Sequence, residues 1–280
     1  MRPPISYYGG KQRLASRIVD MMPKHTVYVE PFAGGAAVLF AKPLPAVSRS
    51  DGYREVVNDR DRRLVNFYRV LREEPEALLR KLSGTLYSRS AWQDSKEFLA
   101  KDGVDGAAAY FVKINQSFAN VLSGGWGTGV FGRNLAATYA ARLARMEAVA
   151  ARFASVHVEC DDALAVIRRW DSPQTLFYCD PPYVDSDQGH YGGYTANDFA
   201  ALVETLSHCQ GSWLLSCYDS TLPFERVEFG SHVTSSSKGK TRGAGLDRTK
   251  NSDGHEAGKR RVEMVYRRAA RVEPRAEILK

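Results

Sequence analysis

The sequence predicts an α/β protein in which a parallel sheet carries a helical insertion. Strand-like apolar runs alternate with helical patterns, and several of these runs stop at an acidic residue. Residues 73–152 differ, because helical patterns follow one another there without a strand between them. We therefore expect residues 1–72 and 153–280 to form the sheet domain, with 73–152 inserted between them.

The clearest strand is Thr175–Cys179, whose residues show no polar alternation. This pattern is typical of a parallel strand that is buried on both faces. The strand stops at Asp180, because Pro181 and Pro182 cannot continue a ladder of backbone hydrogen bonds. Ligands of open α/β sheets bind at this carboxyl edge, so residues 180–183 are predicted to be functional. The alternative is an ordinary turn with a surface acid.

The residue types at this edge suit the methylation of an aromatic amine such as adenine N6. Its lone pair is delocalised into the ring, which makes the nitrogen a poor nucleophile. The Asp180 carboxylate and the Pro181 carbonyl could accept its two N–H hydrogens and favour a more tetrahedral nitrogen. The prolines fix the backbone, and Tyr183 offers a face on which a base could stack.

Glycine turns near the N-terminus precede two predicted helices. In the first, Gly9-Gly-Lys11, backbone N–H groups and an ammonium converge, which suits a carboxylate; a plain glycine turn is the alternative. The second follows the strand 27–29 and runs from Glu30 through Phe32 and Gly34 into an apolar helix. This strand–turn–helix context favours a binding loop over a plain βα turn. The G-x-G-x-x-G spacing of nicotinamide enzymes is missing.

Acidic residues follow two further predicted strands. Asp59 ends a strand about 25 residues beyond the glycine loop, where βαβ nucleotide sites commonly place the acid that binds the ribose hydroxyls. Asp162 follows the strand 156–159 at the same rim. Capping of the next helix is the alternative for both acids, although Asp61 can cap while Asp59 binds.

A glycine-rich segment, residues 115–134, interrupts the helical patterns of the insertion at 75–82, 91–99, 107–114 and 138–153. Four glycines between 124 and 129 preclude regular structure there. Amides and aromatics on such a loop could reach base edges in a groove; the alternative is a helical lid whose aromatics pack. The candidate contacts are Asn115, Gln116, Ser117, Asn120, Trp126 and Arg133.

The positive charge of the chain is concentrated at its end. The net charge is +7, and residues 231–280 hold 13 Lys+Arg against 6 Asp+Glu, so the rest of the chain balances to zero. Antiparallel strands are predicted at 226–229 and 261–266, with a basic excursion between them. It is either a solvated loop or an arm for a polyanion, with Lys238, Lys240 and Arg242 as candidate contacts.

Composition narrows the class of protein. With 44% hydrophobic and 25% charged residues, the chain fits a soluble globular protein, and no apolar run approaches the ~20 residues that span a membrane. Cys160, Cys179 and Cys217 lie in or beside apolar runs, and no Cys-x-x-Cys spacing occurs. We expect buried free thiols in a reducing compartment, without a metal and without disulfides.

The order of these features resembles that of the Dam-like D12 class (α arrangement) of DNA adenine-N6 methyltransferases. The Gly-Gly-Lys turn comes first, followed by the glycine loop, the helical insertion, Asp-Pro-Pro-Tyr and the basic late hairpin. The resemblance implies a Rossmann-like class I methyltransferase sheet, S-adenosylmethionine as cofactor and double-stranded DNA as partner. It also implies that adenine is flipped out of the duplex, because an enclosed site cannot reach N6 within it. The implied cofactor contacts are Tyr7, Lys11, Glu30, Phe32, Gly34, Asp59 and Asp180. Asp162 is a further candidate contact, because it follows a strand at the same rim.

Several alternatives stay open. Tyr7 stands where some relatives have tryptophan, and residues 115–134 depart from members that read GATC, which leaves the target sequence open. Related RNA and protein methyltransferases usually carry Asn at the position of Asp180, so an enzyme of that kind is one alternative and an inactive DNA-binding module is another. We expect a monomer or weak dimer in the cytoplasm of a bacterial or phage-infected cell, with no membrane and no metal.

Overall fold

A computed structural model describes residues 1–7, 9–44, 52–129, 132, 134–184, 193–218, 221–233 and 260–269. Four of the predicted DNA contacts lie outside these ranges and stay predictions: Arg133, Lys238, Lys240 and Arg242.

The described strands form one seven-stranded sheet in the order β3-β2-β1-β4-β5-β7-β6. Their bounds are β1 (Val27–Glu30), β2 (Arg54–Asn58), β3 (Val156–Glu159), β4 (Thr175–Cys179), β5 (Ser212–Tyr218), β6 (Glu225–Val233) and β7 (Arg260–Arg268). Strands β1 to β5 pair in parallel, and β7 runs antiparallel between β5 and β6. The predicted α/β fold with a Rossmann-like sheet is confirmed.

The strand order reverses between β1 and β4. The chain runs outward from β1 to β2 and β3, then returns to the other side of β1 to form β4 and β5. Open α/β sheets bind ligands in the crevice outside the carboxyl ends of the strands at such a reversal. Glu30 ends β1 and Asp180 follows β4, so both residues stand at this crevice.

The helices lie between the strands and in the insertion. Their bounds are α1 (Ala15–Asp20), α2 (Ala37–Ala41), α3 (Arg62–Glu73), α4 (Pro75–Ser83), α5 (Arg89–Phe98), α6 (Gly103–Gln116), α7 (Leu135–Leu143), α8 (Met146–Phe153), α9 (Ala163–Trp170) and α10 (Ala196–His208). A 3₁₀ helix covers Phe118–Asn120.

The prediction of a single helix at 138–153 is wrong, because the helix is interrupted at Arg145 and the chain forms α7 and α8. The Arg145 N–H bonds back to the Arg142 carbonyl at 3.2 Å, which tightens the end of α7 into a 3₁₀ turn. The break redirects the chain so that α8 can bury Met146 and Phe153 completely.

Apolar layers cover both faces of the sheet, which explains why the strands lack polar alternation. On β4, Leu176 and Tyr178 belong to one buried cluster, whereas Phe177 and Cys179 belong to the other. The insertion shares the first cluster, since α6 packs against α3 and α5 packs against α6. The helices that carry the candidate recognition residues are therefore packed on the sheet domain.

A buried ion pair anchors α8 to the sheet. Arg152 donates to the two carboxylate oxygens of Glu55 at 2.6 and 3.0 Å and to the Leu39 carbonyl at 3.0 Å. The two side chains are only 6% and 3% exposed. Because a buried charge without its partner is strongly destabilising, the pair holds α8, β2 and the end of α2 together.

The four cysteines are free, and Cys179 and Cys217 are buried as expected. Cys209 is buried as well. Cys160 is exposed, so a buried thiol is the wrong prediction there; β3 ends at Glu159 and Cys160 lies in the turn beyond it. Within the described ranges, no helix is both long and apolar enough to cross a membrane. No three His, Cys, Asp or Glu side chains of that same part of the chain converge on a point that could hold a metal ion.

Candidate active site

Three side chains meet at the carboxyl end of β4. Asp180 Oδ1 accepts hydrogen bonds from Lys11 Nζ at 2.8 Å and from the Tyr183 hydroxyl at 3.0 Å. Lys11 Nζ also lies 4.8 Å from the centroid of the Tyr183 ring. The Asp180 side chain is 20% exposed and that of Lys11 is 8% exposed. The carboxylate is thus held by charge-assisted bonds in a recess that solvent still reaches.

Local backbone features deliver these groups to one point. Gly9 has a φ of 74°, and the Gly10 N–H closes the turn onto the Tyr7 carbonyl at 3.0 Å. The positive φ favours glycine, and the turn directs Lys11 toward the end of β4. On the other side, the buried Pro181 ends the strand directly after Asp180.

The ring of Tyr183 packs edge-on against Tyr218, with centroids 4.3 Å apart and planes at 70°. Tyr218 is the last residue of β5, and the Tyr178 and Ser216 hydroxyls, 2.9 Å apart, tie that strand to β4. Sequence reasoning missed Tyr218, because nothing in the sequence distinguishes it from any other aromatic at a strand end.

The glycine loop after β1 is bonded to the end of β2. Asp59 is 5% exposed, and its Oδ2 accepts from the Gly34 N–H at 3.0 Å while Oδ1 accepts from the Asp61 N–H at 2.9 Å. Asp61 in turn caps α3 by accepting from the Arg63 N–H at 3.0 Å. The cap prediction for Asp61 is confirmed. Contact of Asp59 with a ribose stays a prediction.

Tyr7 lies directly over the glycine loop. A Cβ placed on Gly34 would stand 3.0 Å from Cδ1 of Tyr7, and one on Gly35 would stand 3.2 Å from Cβ of Tyr7. Gly34 also has a φ of 48°, and its carbonyl accepts from the Tyr68 hydroxyl at 2.8 Å. Only glycine permits both this conformation and this close approach, so the loop and the aromatic ring form one wall of the crevice.

Glu30 is a structural member of the same edge. It is 2% exposed, and its Oε1 accepts from the Tyr28 hydroxyl at 2.8 Å and the Leu39 N–H at 2.6 Å. Burial raises the pKa of Glu30 to about 8, against the lowering effect of these two hydrogen bonds. In this conformation Glu30 orients the start of α2, and its contact with a cofactor is an untested prediction that the burial disfavours.

Phe32 lies partly exposed on the glycine loop and packs edge-on against Tyr194, with ring centroids 6.3 Å apart. Tyr194 directly precedes Thr195, the N-cap of α10, so the contact links the loop to the segment that follows β4. Cofactor contact by Phe32 stays a prediction.

An open cleft of about 710 Å³ lies beside the ends of β2 and β3. Asp162 borders it and caps α9, accepting from the N–H groups of Leu164 and Ala165 at 3.0 and 3.2 Å. The capping alternative for Asp162 is therefore confirmed, and its cofactor contact stays a prediction. The volume suits a nucleoside-sized ligand. The lining includes Arg60, Arg62, Asn66, Arg69, Asp161 and Asp162.

Residues 115–126 are called the recognition segment from here on, because base contacts are predicted on them. The segment is linked to the residue that precedes Tyr7. Arg142 donates to Asn115 Oδ1 and, at 2.7 Å, to the Ser6 hydroxyl, which directly precedes Tyr7. Asn115 Nδ2 is buried and has no hydrogen-bond partner in the described part of the chain. An unsatisfied buried amide is costly, so an acceptor from a bound ligand would stabilise it. No sequence pattern marks Arg142 as the link between these regions.

Two predicted base contacts of the recognition segment point inward. Gln116 is fully buried at the end of α6, where Oε1 accepts from the Ser88 N–H at 3.1 Å and Nε2 donates to the Leu86 carbonyl at 2.9 Å. Ser117 is 6% exposed and accepts from Trp92 Nε1 at 2.8 Å. Reaching a base would break these bonds, so the geometry disfavours both residues as base contacts and assigns them to holding the segment.

The outer side of the recognition segment is aromatic and strained. Trp126 is half-buried against Tyr87, with ring centroids 5.7 Å apart. Ala119 and Asn120 have φ values of 57° and 55°, which are uncommon for residues other than glycine. Phe118 is 70% exposed and was missed by sequence reasoning, although a large apolar residue in a glycine-rich loop was a usable signal. Base contact by Asn120 and Trp126 stays a prediction.

The sequence matches the family described as D12 class N6 adenine-specific DNA methyltransferase over residues 7–226. That span includes the glycine turn, the glycine loop, the insertion and the Asp180 edge. The chain belongs to this family. Within the matched span, Lys11 and Asp180 meet at the reversal of strand order between β1 and β4. Asp59 follows the neighbouring β2 and bonds to the glycine loop.

Individual relatives agree with the family. Over 213 residues, or 71% of this chain, the sequence is 28% identical to a DNA N-6-adenine-methyltransferase of Escherichia phage P1. It is 35% identical over 99 residues, 35% of this chain, to the type II methyltransferase M1.LlaDCHI of Lactococcus lactis subsp. cremoris. It is 28% identical over 89 residues, 30% of this chain, to the type II methyltransferase M.MjaIII of Methanocaldococcus jannaschii. The matches cover 26%, 30% and 29% of these relatives' own lengths, respectively.

Proposed function

We propose that this D12-class chain transfers a methyl group from S-adenosylmethionine to N6 of adenine in double-stranded DNA. One observation carries the proposal: Asp180 stands at the reversal of strand order, held by Lys11 and Tyr183. The glycine loop with Asp59 and Tyr7 lies at the same edge. A carboxylate at that position is the acceptor that an exocyclic amine requires.

The residues around the crevice fit S-adenosylmethionine. Asp59 would accept from the ribose hydroxyls, since it already stands beside the Gly34 backbone. Tyr7 would contact the flat or cationic part of the cofactor. Lys11 would contact its carboxylate, although its ammonium is bonded to Asp180 in this structure. When bound, the cofactor supplies a methyl group that its sulfonium already activates, so no strong base is needed from the protein.

The proposed role of Asp180 is to accept a hydrogen from N6. Lys11 and Tyr183 donate to the same oxygen, Oδ1, and fixing that oxygen fixes the plane of the carboxylate. We assign the N6 hydrogen to Oδ2 and the second hydrogen to the Pro181 carbonyl. This arrangement orients the nitrogen lone pair toward the methyl donor, so catalysis rests on positioning and electrostatics.

The recess of the site supports base flipping as part of this proposal, in which the target adenine leaves the helix. Asp180 is only 20% exposed on the side chain, and Tyr183 and Tyr218 wall the same edge. An intact base pair cannot enter such a space, whereas a flipped base can stack on an aromatic side chain. Tyr183 is the residue that we assign to this contact.

A transfer assay with four acceptors tests the proposal. The protein is incubated with S-adenosylmethionine that carries a labelled methyl group, and with duplex DNA, single-stranded DNA, RNA or a protein mixture. We expect label in the duplex DNA. Label in RNA or protein instead would contradict the proposal. Calorimetry with the unlabelled cofactor separates the remaining alternative, since binding without any transfer would identify an inactive module.

A further inference from the structure

A cluster of basic and aromatic side chains lies on helices α5 and α6 of the insertion. Helix α5 carries Arg89, Trp92 and Lys96, which fall within about 60° of one another at roughly 100° per residue. Its acids Asp94 and Glu97 project about 80–140° away from Arg89 by the same count. The helix therefore presents one face with two cations and a tryptophan.

Lys113 joins this face from α6. Its Nζ lies 3.5 Å from the centroid of the Trp92 ring, and Lys96 Nζ lies 4.3 Å from the same centroid. Trp92 is 7% exposed and Lys113 is 4% exposed, while Lys96 is exposed. The tryptophan thus gathers two ammonium groups from two helices, one recessed and one at the surface.

These two cations have no counter-charge in the ion pairs of the described residues, where neither Lys96 nor Lys113 has a carboxylate partner. By contrast, Lys81 pairs with Asp105 at 2.5 Å on neighbouring helices. Burial, and secondly the charge of Lys96, lower the pKa of Lys113 to about 8. An anion bound beside the two ammonium groups would oppose both effects, because its negative charge favours the protonated form of each lysine and offsets their mutual repulsion.

The cluster is bonded directly to the recognition segment. Trp92 Nε1 donates to Ser117 Oγ at 2.8 Å, and the Ser117 N–H bonds to the Lys113 carbonyl at 3.1 Å. Ser117 also forms a backbone bridge with Trp126, whose ring lies 4.8 Å from the Arg89 guanidinium. Three cations, each against a tryptophan, therefore surround one turn of the segment.

We propose that Lys96 and Lys113, gathered on Trp92, form a phosphate-contact site for the DNA backbone beside the recognition segment. The inference rests on the proposed function, in which duplex DNA is the acceptor. A backbone phosphate bound there positions the strand without reading sequence. Because Ser117 is bonded to both Trp92 and Lys113, phosphate contact also sets the register of the turn that faces the bases.

Binding of a duplex oligonucleotide over a range of salt concentrations tests the site. The variants are Lys96→Gln, the double variant Lys96→Gln with Lys113→Met, and the control Lys101→Gln. Lys101 is a matched control because it is exposed and lies 4.2 Å from the Phe98 ring, outside the cluster. Each lost phosphate contact should reduce the slope of log K against log salt by about 0.9, so we expect up to ~1.8 for the double variant and none for Lys101→Gln.

The results of these binding measurements either support or overturn the phosphate-contact site. Equal weakening on all duplex sequences, with unchanged cofactor affinity, supports the site. Unchanged slopes in Lys96→Gln and the double variant would overturn it and leave the cluster a packing device. If the double variant does not fold, Lys96→Gln alone decides, since that residue is exposed. Binding of inorganic phosphate without DNA is measured for the wild type and the double variant at constant ionic strength. Tight, saturable binding by the wild type that is lost in the double variant would make the cluster a free-anion site and overturn the backbone assignment. Failure of methyl transfer by the wild type would refute the proposed function without changing these slopes.

Discussion

The Asp180 edge and the recognition segment both place polar residues where a regular element ends, yet the side chains point in opposite directions. At the end of β4, Asp180 points into the crevice and receives Lys11 from a distant segment. At the end of α6, Gln116 points into the protein and is bonded on both sides of its amide. Polar residue type alone therefore does not separate a side chain that faces the crevice from one that holds the fold. The helix predicted to end at residue 114 continues to Gln116, which turns that amide into the protein.

The largest expected effect on activity comes from substituting Asp180. Asp180→Ala should leave the fold intact and lower the rate of methyl transfer roughly 100- to 1,000-fold, or about 2.7–4 kcal/mol, because N6 loses its acceptor. Single-turnover rates on a duplex substrate measure the loss. Glu76→Gln, which removes a carboxylate that is 88% exposed, serves as control. Near-normal turnover of the Asp180 variant would remove that residue from the reaction.

The next prediction concerns the residues at the same edge that are proposed to bind the cofactor. Lys11→Ala and Asp59→Ala should each weaken S-adenosylmethionine binding by about 1.5–3 kcal/mol, the usual worth of a hydrogen bond to a charged group. Calorimetry gives the dissociation constants. If both variants bind as tightly as the wild type, the crevice around Gly34 does not hold the cofactor.

Substituting Gln116 in the recognition segment should lower the stability of the protein. Gln116→Ala leaves the Ser88 N–H and the Leu86 carbonyl without their partner, so the free energy of unfolding should fall by about 1–3 kcal/mol. Urea denaturation measures this loss. Gln93→Ala, which removes an exposed amide from α5, should stay within about 0.5 kcal/mol. A Gln116 variant of normal stability but altered target preference would restore that residue as a base contact.

The last prediction concerns the pH dependence of stability. Burial raises the pKa of Glu30 to about 8, so the folded protein retains a proton that the unfolded chain releases near pH 4.5. Stability from this group is complete below pH 4.5 and is lost as pH rises toward 8, by at most about 1.4 kcal/mol per pH unit. Glu30→Gln should therefore gain stability relative to the wild type between pH 5 and 8. The melting temperatures of the two proteins are measured at each pH. If their difference stays constant from pH 5 to 8, Glu30 does not titrate in this way.

The sequence allowed the sheet and the position of Asp180 at its carboxyl edge to be predicted because their signals are local. Thr175–Cys179 has no polar alternation since both faces are covered, and two prolines fix the position of Asp180. The ion pair between Lys11 and Asp180 spans 169 residues, so only the folded sheet brings it about. Gln116, Arg142 and Lys113 could not be assigned from sequence, because their roles depend on how α5, α6 and α7 pack together.

The identity of the methylated nucleoside tests the central claim most directly. A duplex is incubated with S-adenosylmethionine and either the wild-type protein or Asp180→Ala, then digested to nucleosides and analysed by mass spectrometry. We predict N6-methyldeoxyadenosine as the product of the wild type, and its yield at early times should fall roughly 100- to 1,000-fold in the variant. A methylated cytosine, or N6-methyldeoxyadenosine formed equally by both proteins, would contradict the assignment of adenine N6 to the Asp180 edge.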